Sequence, residues 1–445
     1  MTPAADPATY LLQLAADHRR CFWLDGGGAR QWSGRRSMVG WLEDDDVSLT
    51  FDRARGEVRR HGGGRSEVVG SDVFAALEAE LKAGPPDAHW VGYFGYAARP
   101  DLPAHPDPHL PDAVWVRASG LRFFTHQVMP QVPPRRAASP SSVDPDSHLG
   151  GGSVPTAYAD AFARVQEELH AGNSYEVNLT YREQLPVTGS ALGHEGSASG
   201  PKASASGGEE SPAAAYLRLR ELNPAPYCGF LQHDVDGARA WLLSSSPERY
   251  ALVTADRWLE TKPIKGTTPR GATPEKDEEL RLRLAGDPKF RSENLMIVDL
   301  LRNDVAMVCE PGTVDVPVLM DVESYATVHQ LVSTVRGRLR EDVSTVEALR
   351  ALFPAGSMTG APKLRTMQII DAVEDTPRGV YAGAFGWVAA DGRADLGVVI
   401  RSLMTDGSGA WWLGTGGGIT VRSDPAEEYA ESRWKADRLR RVFGP

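Results

Sequence analysis

Short apolar segments separated by turn residues constrain the fold of this chain more than any other feature of its sequence. Residues 8 to 130 contain CFWLD, SMVGWL, VSLTF, HWVGYFGY and VWVRASGLRFF, and one short helix is predicted over residues 71 to 82. Further strand segments, YAGAFGWVAA, ADLGVVIRSLMT and AWWLGTGGGITV, lie near the C-terminus. Because strands come in runs with intervening helices and do not alternate strictly with them, the sequence predicts an α+β fold around large mixed or antiparallel sheets.

Two segments are too poor in apolar residues to join a core. Residues 127 to 155 and 188 to 212 are instead rich in Pro, Ser and Gly. We therefore divide the chain into an N-terminal subdomain (1–130), a linker or loop (131–153) and a C-terminal region (154–445). A disordered insertion (188–212) is expected within the C-terminal region.

Charge and cysteine usage narrow the function classes. The chain has 445 residues, and its 48 basic and 59 acidic residues give a net charge of −11, which disfavours nucleic acid as a partner. No run of about 18 apolar residues appears and the N-terminus does not resemble a signal peptide, so we expect no membrane partner and a cytoplasmic location. Cys21, Cys228 and Cys309 lie in apolar contexts and are interpreted as reduced core thiols.

The segment from Glu260 to Asp304 carries the clearest chemistry. Pro263 and Gly266 bracket a lone Lys265 in PIKGTTPR, where a sharply turning strand end can direct an amine into a cleft. About thirty residues later, Ser292 is expected to cap a helix with Glu293 in its first turn. The apolar positions of that helix, expected to face the core, are Leu295, Val298 and Leu301. The alternatives are a solvated lysine and a glutamate that only interacts with the helix dipole.

Three other helices are predicted from their end signals. Ser344 and Glu347 form a capping box. Pro362 suits the first turn of the next helix, whose apolar stripe is Leu364, Met367, Ile370 and Val373. The last helix, about 425 to 443, places Glu428, Glu431 and Lys435 on one face. Such carboxylates suit Mg²⁺ with an anionic substrate, and the alternative is a solvated face with a Glu431–Lys435 ion pair.

Two further segments could contact a reacting anion. The segment GTGGGIT, residues 414 to 420, lacks the third glycine of a dinucleotide fingerprint, but its backbone amides could hold a carboxylate. Glu248 follows a proline in an apolar strand region, so burial could raise its pKa and make it a proton donor. The alternative for Glu248 is a solvated strand end.

Ten segments in order resemble the chorismate-utilising enzymes, the family of anthranilate synthase component I, aminodeoxychorismate synthase component I, isochorismate synthase and salicylate synthase. They are YEVNLT, SSPER, PIKGTTPR, ENLMIVDLLRND, VHQLVSTV, GSMTGAPK, VYAGAFGW, IRSL, GTGGGIT and EEYAESRWKA. The resemblance covers residues 154 to 440 and is weaker in the N-terminal part, through FWLDGGG and GYFGY. It implies the fold of anthranilate synthase component I, with two large packed sheets and surrounding helices, and makes residues 154–445 a chorismate-binding catalytic region.

The resemblance also implies roles for individual residues. Glu293, Glu428 and Glu431 are expected to hold Mg²⁺ against the ring carboxylate of chorismate. The expected contacts to the substrate carboxylates are Tyr381, Arg401, Lys435 and the amides of Gly416 and Gly417. Thr359 and His329 are expected beside the ring, and Glu248 is expected to protonate the departing C4 hydroxyl.

Within this family the string PIKG separates two activities. Aminodeoxychorismate synthases use the lysine at the position of Lys265 as a nucleophile at C2, whereas anthranilate synthases typically have alanine there, and anthranilate synthase component I is our alternative. We expect burial and nearby Mg²⁺ to lower the pKa of Lys265. Glu176 occupies the position where isochorismate and salicylate synthases have a water-activating lysine, which argues against water as the nucleophile.

Partners and rival functions follow from motifs that are missing or retained. No glutaminase motif is found, so ammonia is expected from a separate glutamine amidotransferase subunit or from solution. A rival of another class is a catalytically silent regulator that binds chorismate or tryptophan. The retained Lys265, Glu248 and presumed metal ligands argue against it, because a binding protein needs no nucleophile. The FWLDGGG segment also lacks the LLES-type string that helps anthranilate synthases bind tryptophan.

Overall fold

The computed structural model of this chain describes residues 6–26, 36–126, 153–185, 211–325 and 328–444. The predicted linker and insertion lie outside these ranges, apart from Ser153 and the pair Ser211 and Pro212. Ser211 caps a helix that begins at Pro212, so the insertion ends two residues earlier than predicted.

Helices pack against both sheets and connect the runs of strands. In the described residues they are α1 Pro7–Asp17, α2 Val73–Ala83, α3 Thr156–His170, α4 Pro212–Leu222, α5 Pro274–Gly286, α6 Pro288–Ala306, α7 Thr345–Leu352, α8 Lys363–Val373 and α9 Pro425–Arg440. None of them is both long and apolar enough to cross a lipid bilayer.

The strands form two large sheets in which every described pairing is antiparallel. In chain order the strands are β1 Arg20–Asp25, β2 Arg36–Leu42, β3 Ser48–Asp52, β4 Glu57–Gly62, β5 Arg65–Gly70, β6 His89–Phe94, β7 Ala113–Arg117, β8 Gly120–Thr125, β9 Glu176–Leu185, β10 Tyr227–His233, β11 Ala240–Ser246, β12 Arg249–Val253, β13 Trp258–Lys262, β14 Ile264–Pro269, β15 Asp315–Ser324, β16 Val328–Arg338, β17 Gly360–Ala361, β18 Ala384–Ala389, β19 Ala394–Val398, β20 Ser402–Thr405 and β21 Trp411–Ile419.

Strands from both ends of the chain share each sheet. The nine-stranded sheet has the order β17-β9-β21-β20-β11-β10-β1-β2-β8. The twelve-stranded sheet has the order β14-β16-β13-β12-β19-β18-β6-β7-β3-β4-β5, with β15 also paired to β16. The N-terminal strands therefore continue the sheets of the C-terminal region and do not form a separate core.

The two sheets pack face to face because the strands of the nine-stranded sheet are apolar on both faces. Phe22 joins the large core shared with the twelve-stranded sheet, whereas its neighbour Trp23 joins a second core beneath α1, α4 and α9. Leu242 and Leu243 divide between the same two cores. Since successive strand residues point to opposite faces, these continuous apolar runs bury both sides of the sheet.

Most predicted helices are present, with corrections at two places. The capping box at Ser344 and Glu347 is confirmed. Helix α6 is capped by Asp287, so Glu293 lies in its second turn and Ser292 instead bonds to the carbonyl of Pro288. The sequence also missed helix α1, because its residues precede the first clear strand.

Two predicted core positions are on the surface. Leu295 on α6 and Leu364 on α8 are 54% and 53% exposed. Each lies at the edge of an apolar stripe whose other members are buried, so these stripes are narrower than the sequence pattern indicated. The three cysteines are free and buried, as expected.

Candidate active site

The candidate site lies where one edge of each sheet meets helices α6 and α9. Lys265 lies on β14, Glu176 begins β9, and Gly418 lies near the end of β21. A Cβ atom added at Gly418 would lie 2.1 Å from Glu176 Oε1 and 3.0 Å from Lys265 Nζ. Only glycine therefore leaves room for these two side chains beside the strand.

Lys265 and Glu176 form a buried ion pair at the centre of the site. Lys265 Nζ donates a hydrogen bond to Glu176 Oε1, and the other carboxylate oxygen of Glu176 is buried without a hydrogen-bond partner. Burial by itself lowers the pKa of Lys265, but the carboxylates of Glu176, Glu293 and Glu248 outweigh it and raise the pKa above its ordinary value. Burial thus acts in the expected direction, and a pKa lowered with Mg²⁺ nearby stays a prediction, but the sequence did not show how many carboxylates surround this amine.

Glu248 occupies the short connection between β11 and β12 and is 5% exposed. Ser357 Oγ donates a 2.6 Å hydrogen bond to Glu248 Oε1. Burial raises the pKa of Glu248 to about 7, although the Ser357 hydroxyl and Lys265 partly oppose the rise. A carboxyl group with such a pKa can hold a proton near neutrality, which is what a general acid requires.

The three presumed metal ligands come from the two helices that border the site. Glu293 is 8% exposed, and burial raises its pKa to about 7 against the attraction of Lys265. Glu428 is buried and its Oε1 accepts hydrogen bonds from Lys289 Nζ at 3.0 Å and Ser423 Oγ at 2.8 Å.

The third presumed ligand, Glu431, is only half-buried. The ammonium of Lys435, 2.7 Å away, is the main cause that lowers the pKa of Glu431 to about 2. This is the ion pair that the sequence offered as the alternative to metal binding. The ion pair is thus present, and metal binding by Glu431 stays a prediction.

The carboxylates of Glu293, Glu428 and Glu431 lie near the ammonium of Lys289 and do not converge on one point. In the described ranges, no three Asp, Glu, His or Cys side chains are close enough together to hold a metal ion. Yet Glu293 Oε1 is buried without a hydrogen-bond partner, and Glu293, Glu428 and Glu431 all attract the same ammonium, that of Lys289. Three carboxylates, with Glu293 Oε1 lacking a hydrogen-bond partner, are oxygen ligands of the kind that fits Mg²⁺, provided that Lys289 moves away from Glu428.

Two of the residues predicted to bind the substrate carboxylates, Arg401 and Tyr381, are held in place by their neighbours. Arg401 is held in the left-handed region at φ 52°, and its carbonyl accepts hydrogen bonds from the backbone and hydroxyl of Ser245. Burial, followed by repulsion from Arg438, lowers the pKa of Arg401 to about 10. The ring of Tyr381 is buried against Gly414, since a Cβ atom there would lie 2.2 Å from the ring.

The sequence predicted that the backbone amides of Gly416 and Gly417 bind the substrate, whereas in β21 the amides of Gly416 and Gly418 are the two that are not used within the sheet. Gly416 pairs with Thr180 and Gly418 with Asn178, but the amides of Thr180 and Asn178 bond elsewhere, to Glu374 and Thr359. Because hydrogen-bonded and non-hydrogen-bonded pairs alternate, the Gly417 amide belongs to the ladder, and those of Gly416 and Gly418 face away from it. Consistently, the Gly416 carbonyl accepts a 3.1 Å bond from Lys435 Nζ.

The two residues expected beside the ring are engaged in local contacts. The ring nitrogens of His329 lie 3.0 Å from Asp277 Oδ1 and 2.7 Å from Ser324 Oγ. Thr359 is fully buried, and its hydroxyl donates to the carbonyl of Gly356 at 3.1 Å. Contact of either residue with a substrate stays a prediction.

Sequence reasoning missed three residues that the fold brings into the site. Glu176 was noted only as a replacement, although it contacts the proposed nucleophile. Lys289 lies one turn before Glu293 on α6, and this spacing was the available signal. Ser357, in the GSMTGAPK segment, had no signal of its own, because its partner Glu248 is 109 residues away.

Comparisons with known proteins agree with this architecture. The profile of the chorismate binding enzymes matches residues 19–441. An aminodeoxychorismate synthase of Streptomyces pristinaespiralis is 38% identical over 482 residues, which cover 98% of this chain and 63% of that protein. Anthranilate synthase component 1 of Streptomyces coelicolor is 36% identical over 420 residues, which cover 83% of this chain and 77% of that protein.

The fold is shared with a solved structure. The crystal structure of anthranilate synthase component I from Streptococcus pneumoniae matches with a TM-score of 0.68, at 24% identity and 92% coverage of each chain. The predicted fold of two large packed sheets with surrounding helices is thus confirmed. The chain spans less than two thirds of the length of the Streptomyces pristinaespiralis relative. The profile match along most of its length shows that the chain belongs to the family of chorismate binding enzymes.

Proposed function

We propose that this chain is an aminodeoxychorismate synthase component I, which converts chorismate and ammonia to 4-amino-4-deoxychorismate for p-aminobenzoate, folate or a secondary metabolite. The observation that carries this proposal is Lys265, a buried lysine in the PIKG string, beside the buried acid Glu248. The similarity to an aminodeoxychorismate synthase over nearly the whole chain supports it.

In the first step the amine of Lys265 adds to C2 of chorismate. The ring double bonds shift, and the C4 hydroxyl leaves as water with the proton that Glu248 provides. The lysine must be neutral to attack, and Glu176 is the adjoining group that can accept its proton, since it already receives a hydrogen bond from Nζ.

In the second step ammonia adds at C4 and gives its extra proton to Glu248, which is thereby restored as an acid, and the double bonds shift back as Lys265 leaves C2 as a free amine. The net change replaces the C4 hydroxyl by an amino group and releases one water. Arg401, Lys435 and the open amides of β21 would hold the substrate carboxylates through both steps. Because the lysine is regenerated, the chain is a catalyst in which one amine serves as nucleophile and leaving group.

We also propose that the reaction depends on Mg²⁺ held by Glu293, Glu428 and Glu431. When bound, the ion would neutralise the ring carboxylate of chorismate and assist its orientation. An acidic chain could in this way accept a dianionic substrate with few cationic side chains of its own. The unpartnered Oε1 of Glu293 supports this assignment.

The ammonia is proposed to come from a separate glutamine amidotransferase subunit. The relative from Streptomyces coelicolor is named a component 1, which supports a second component for this chain as well. The purified chain should then use ammonium salts at alkaline pH but not glutamine.

The deciding experiment mixes the purified chain with chorismate, MgCl₂ and ammonium chloride and identifies the product by mass and ultraviolet spectrum. 4-Amino-4-deoxychorismate supports the proposal, whereas no amination product contradicts it. Chelation with EDTA should abolish turnover, and full turnover in EDTA would contradict the metal assignment alone. Product from glutamine without a second protein would contradict the separate subunit alone.

Anthranilate synthase component I is the second candidate. The Streptomyces coelicolor relative favours it, because the alignment covers 77% of a protein of that name. Anthranilate and pyruvate as the products of the same assay would support this candidate and show that Lys265 does not direct amination to C4.

A further inference from the structure

Lys289 connects the two helices that carry the presumed metal ligands. It lies in the first turn of α6, four residues before Glu293, so both side chains project from the same face of the helix. Lys289 Nζ lies 3.0 Å from Glu428 Oε1 across 139 residues of sequence. Its side chain is 45% exposed, so the ammonium can move into solvent without unfolding the helix.

The geometry of Lys289 is that of a counter-ion for the presumed metal ligands. Its ammonium contacts Glu428, which lies one turn before Glu431 on α9, and its own helix carries Glu293 one turn later. These three carboxylates are the same three that are proposed to hold Mg²⁺.

A metal ion cannot share this place with the ammonium. Glu428 Oε1 is already used by Lys289 and Ser423, while Glu293 Oε1 is buried and has no hydrogen-bond partner. The ammonium is itself a cation, and Mg²⁺ requires oxygen ligands close around it. Binding of the ion through Glu428 Oε1 therefore requires the Lys289–Glu428 contact to break.

We propose that Lys289 is a built-in counter-ion that balances the carboxylate cluster before metal binding and leaves Glu428 when Mg²⁺ binds. This inference rests on the metal site of the proposed function and adds a residue that opposes the metal. The lysine keeps three neighbouring carboxylates from repelling one another, at the cost of weaker binding of the ion. Mg²⁺ affinity is thus set by competition with a side chain of the protein itself.

The test is calorimetric titration of MgCl₂ into the full chain without substrate. Lys289→Met keeps the apolar stem and removes the charge, so we expect a Kd for Mg²⁺ about tenfold lower than that of the unaltered chain. Lys276→Met is the matched control, because Lys276 forms an exposed ion pair with Glu279 on the neighbouring helix α5 and also changes the net charge by one. The control should bind Mg²⁺ like the unaltered chain.

Thermal unfolding supplies a second readout. Without Mg²⁺, Lys289→Met should have a lower Tm than the unaltered chain, because the cluster has lost its counter-ion. Saturating MgCl₂ should remove that difference, while Lys276→Met should respond to MgCl₂ as the unaltered chain does.

Equal or weaker Mg²⁺ binding by Lys289→Met would overturn the inference but leave the metal site in place. Absence of heat of binding for all three proteins, with turnover that persists in EDTA, would instead show that the proposed metal site is wrong and the inference with it. Tighter binding by Lys289→Met, with a chain that makes no amination product, would support the inference and reject only the proposed activity.

Discussion

Two buried lysines of this chain are each paired with one carboxylate, yet their electrostatics are opposite. Lys363 Nζ donates to Asp304 Oδ2 at 2.6 Å and to the carbonyl of Leu352 at 2.7 Å. Burial lowers the pKa of Lys363 and Asp304 does not fully compensate, whereas the surroundings of Lys265 raise its pKa. The side chains are equally enclosed, at 14% and 10% exposure.

The pKa values of the two lysines differ because of the charges that lie beyond the paired carboxylate. Lys265 is also attracted by Glu293 and Glu248, while the next charge near Lys363 is the repelling guanidinium of Arg99. Lys363 lies at the start of α8 and contacts Asp304 near the end of α6, and its ammonium donates hydrogen bonds to Asp304 and to the carbonyl of Leu352. Lys265 lies in an excess of negative charge, which is suited to its proposed role as a nucleophile that gives up a proton to a neighbouring carboxylate. Enclosure alone therefore does not distinguish a structural lysine from one that is proposed to be catalytic.

The largest expected effect separates the two lysines by activity. Lys265→Met should reduce formation of 4-amino-4-deoxychorismate about a thousandfold, because no other amine is expected to add to C2. Its affinity for chorismate should change much less. The unaltered chain, quenched with chorismate but without ammonia, should carry a substrate-sized adduct on the peptide that contains Lys265. A fully active methionine variant without any adduct would mean that ammonia attacks directly.

The same substitution at Lys363 should lower the free energy of unfolding and leave activity largely unchanged. Lys363→Met leaves Asp304 buried without its partner, so we expect a loss of about 3 kcal/mol in the free energy of unfolding, measured by urea titration. Its turnover at low temperature should stay near that of the unaltered chain. The double variant Lys363→Met, Asp304→Leu should recover part of the loss, and equal loss in both variants would show that the ion pair is not the cause.

Glu248→Gln tests the proposed general acid that lies near Lys265. Turnover should fall about a hundredfold, since the amide cannot protonate the leaving hydroxyl. In the unaltered chain, turnover should fall as pH rises through about 7, where Glu248 loses its proton.

The same group should make stability depend on pH. Between its ordinary pKa of 4.5 and the folded value of about 7, the folded chain keeps a proton that the unfolded chain has lost. Stability contributed by this group is therefore present below 4.5 and lost as pH rises through 7, by about 3 kcal/mol in total. Glu248→Gln should lose the part of the slope that comes from Glu248 and keep the part from Glu293, whose pKa is also raised to about 7, whereas exposed Glu279→Gln should retain the whole slope. A slope that is unchanged in Glu248→Gln would assign it to other groups.

The smallest expected effect is a displaced pH profile. Glu176→Gln removes the carboxylate that contributes most to the raised pKa of Lys265, so the pH dependence of adduct formation should move toward lower pH. Its maximal rate should stay within about tenfold of the unaltered chain, because the amine can then lose its proton to solvent. An unmoved profile with a uniformly lower rate would make Glu176 a purely structural partner. Glu374→Gln, a buried glutamate bound by Arg378, is the matched control and should leave the profile unmoved.

Local sequence signals anticipated much of the fold and some of the site. The capping box at Ser344, the C-terminal helix and the strands rich in apolar residues were readable, because they depend on neighbours a few residues apart. The start of α6 was misplaced because Asp287 and Ser292 are both good caps, and packing decided between them. The exposure of Leu295 could not be predicted either, since it depends on which residues of α6 face the sheets in three dimensions.

The sequence by itself determined the class of fold, the family motifs and the presence of Lys265, Glu248 and the three glutamates that are proposed to hold a metal ion. Only the tertiary structure decided that Glu176 contacts Lys265 across 89 residues and that Lys289 contacts Glu428 across 139. The reason is that electrostatic energy depends on distance in space and on burial, and neither is encoded in the spacing of these residues along the chain. The direction of the Lys265 pKa therefore became visible only when the two sheets brought its carboxylates together.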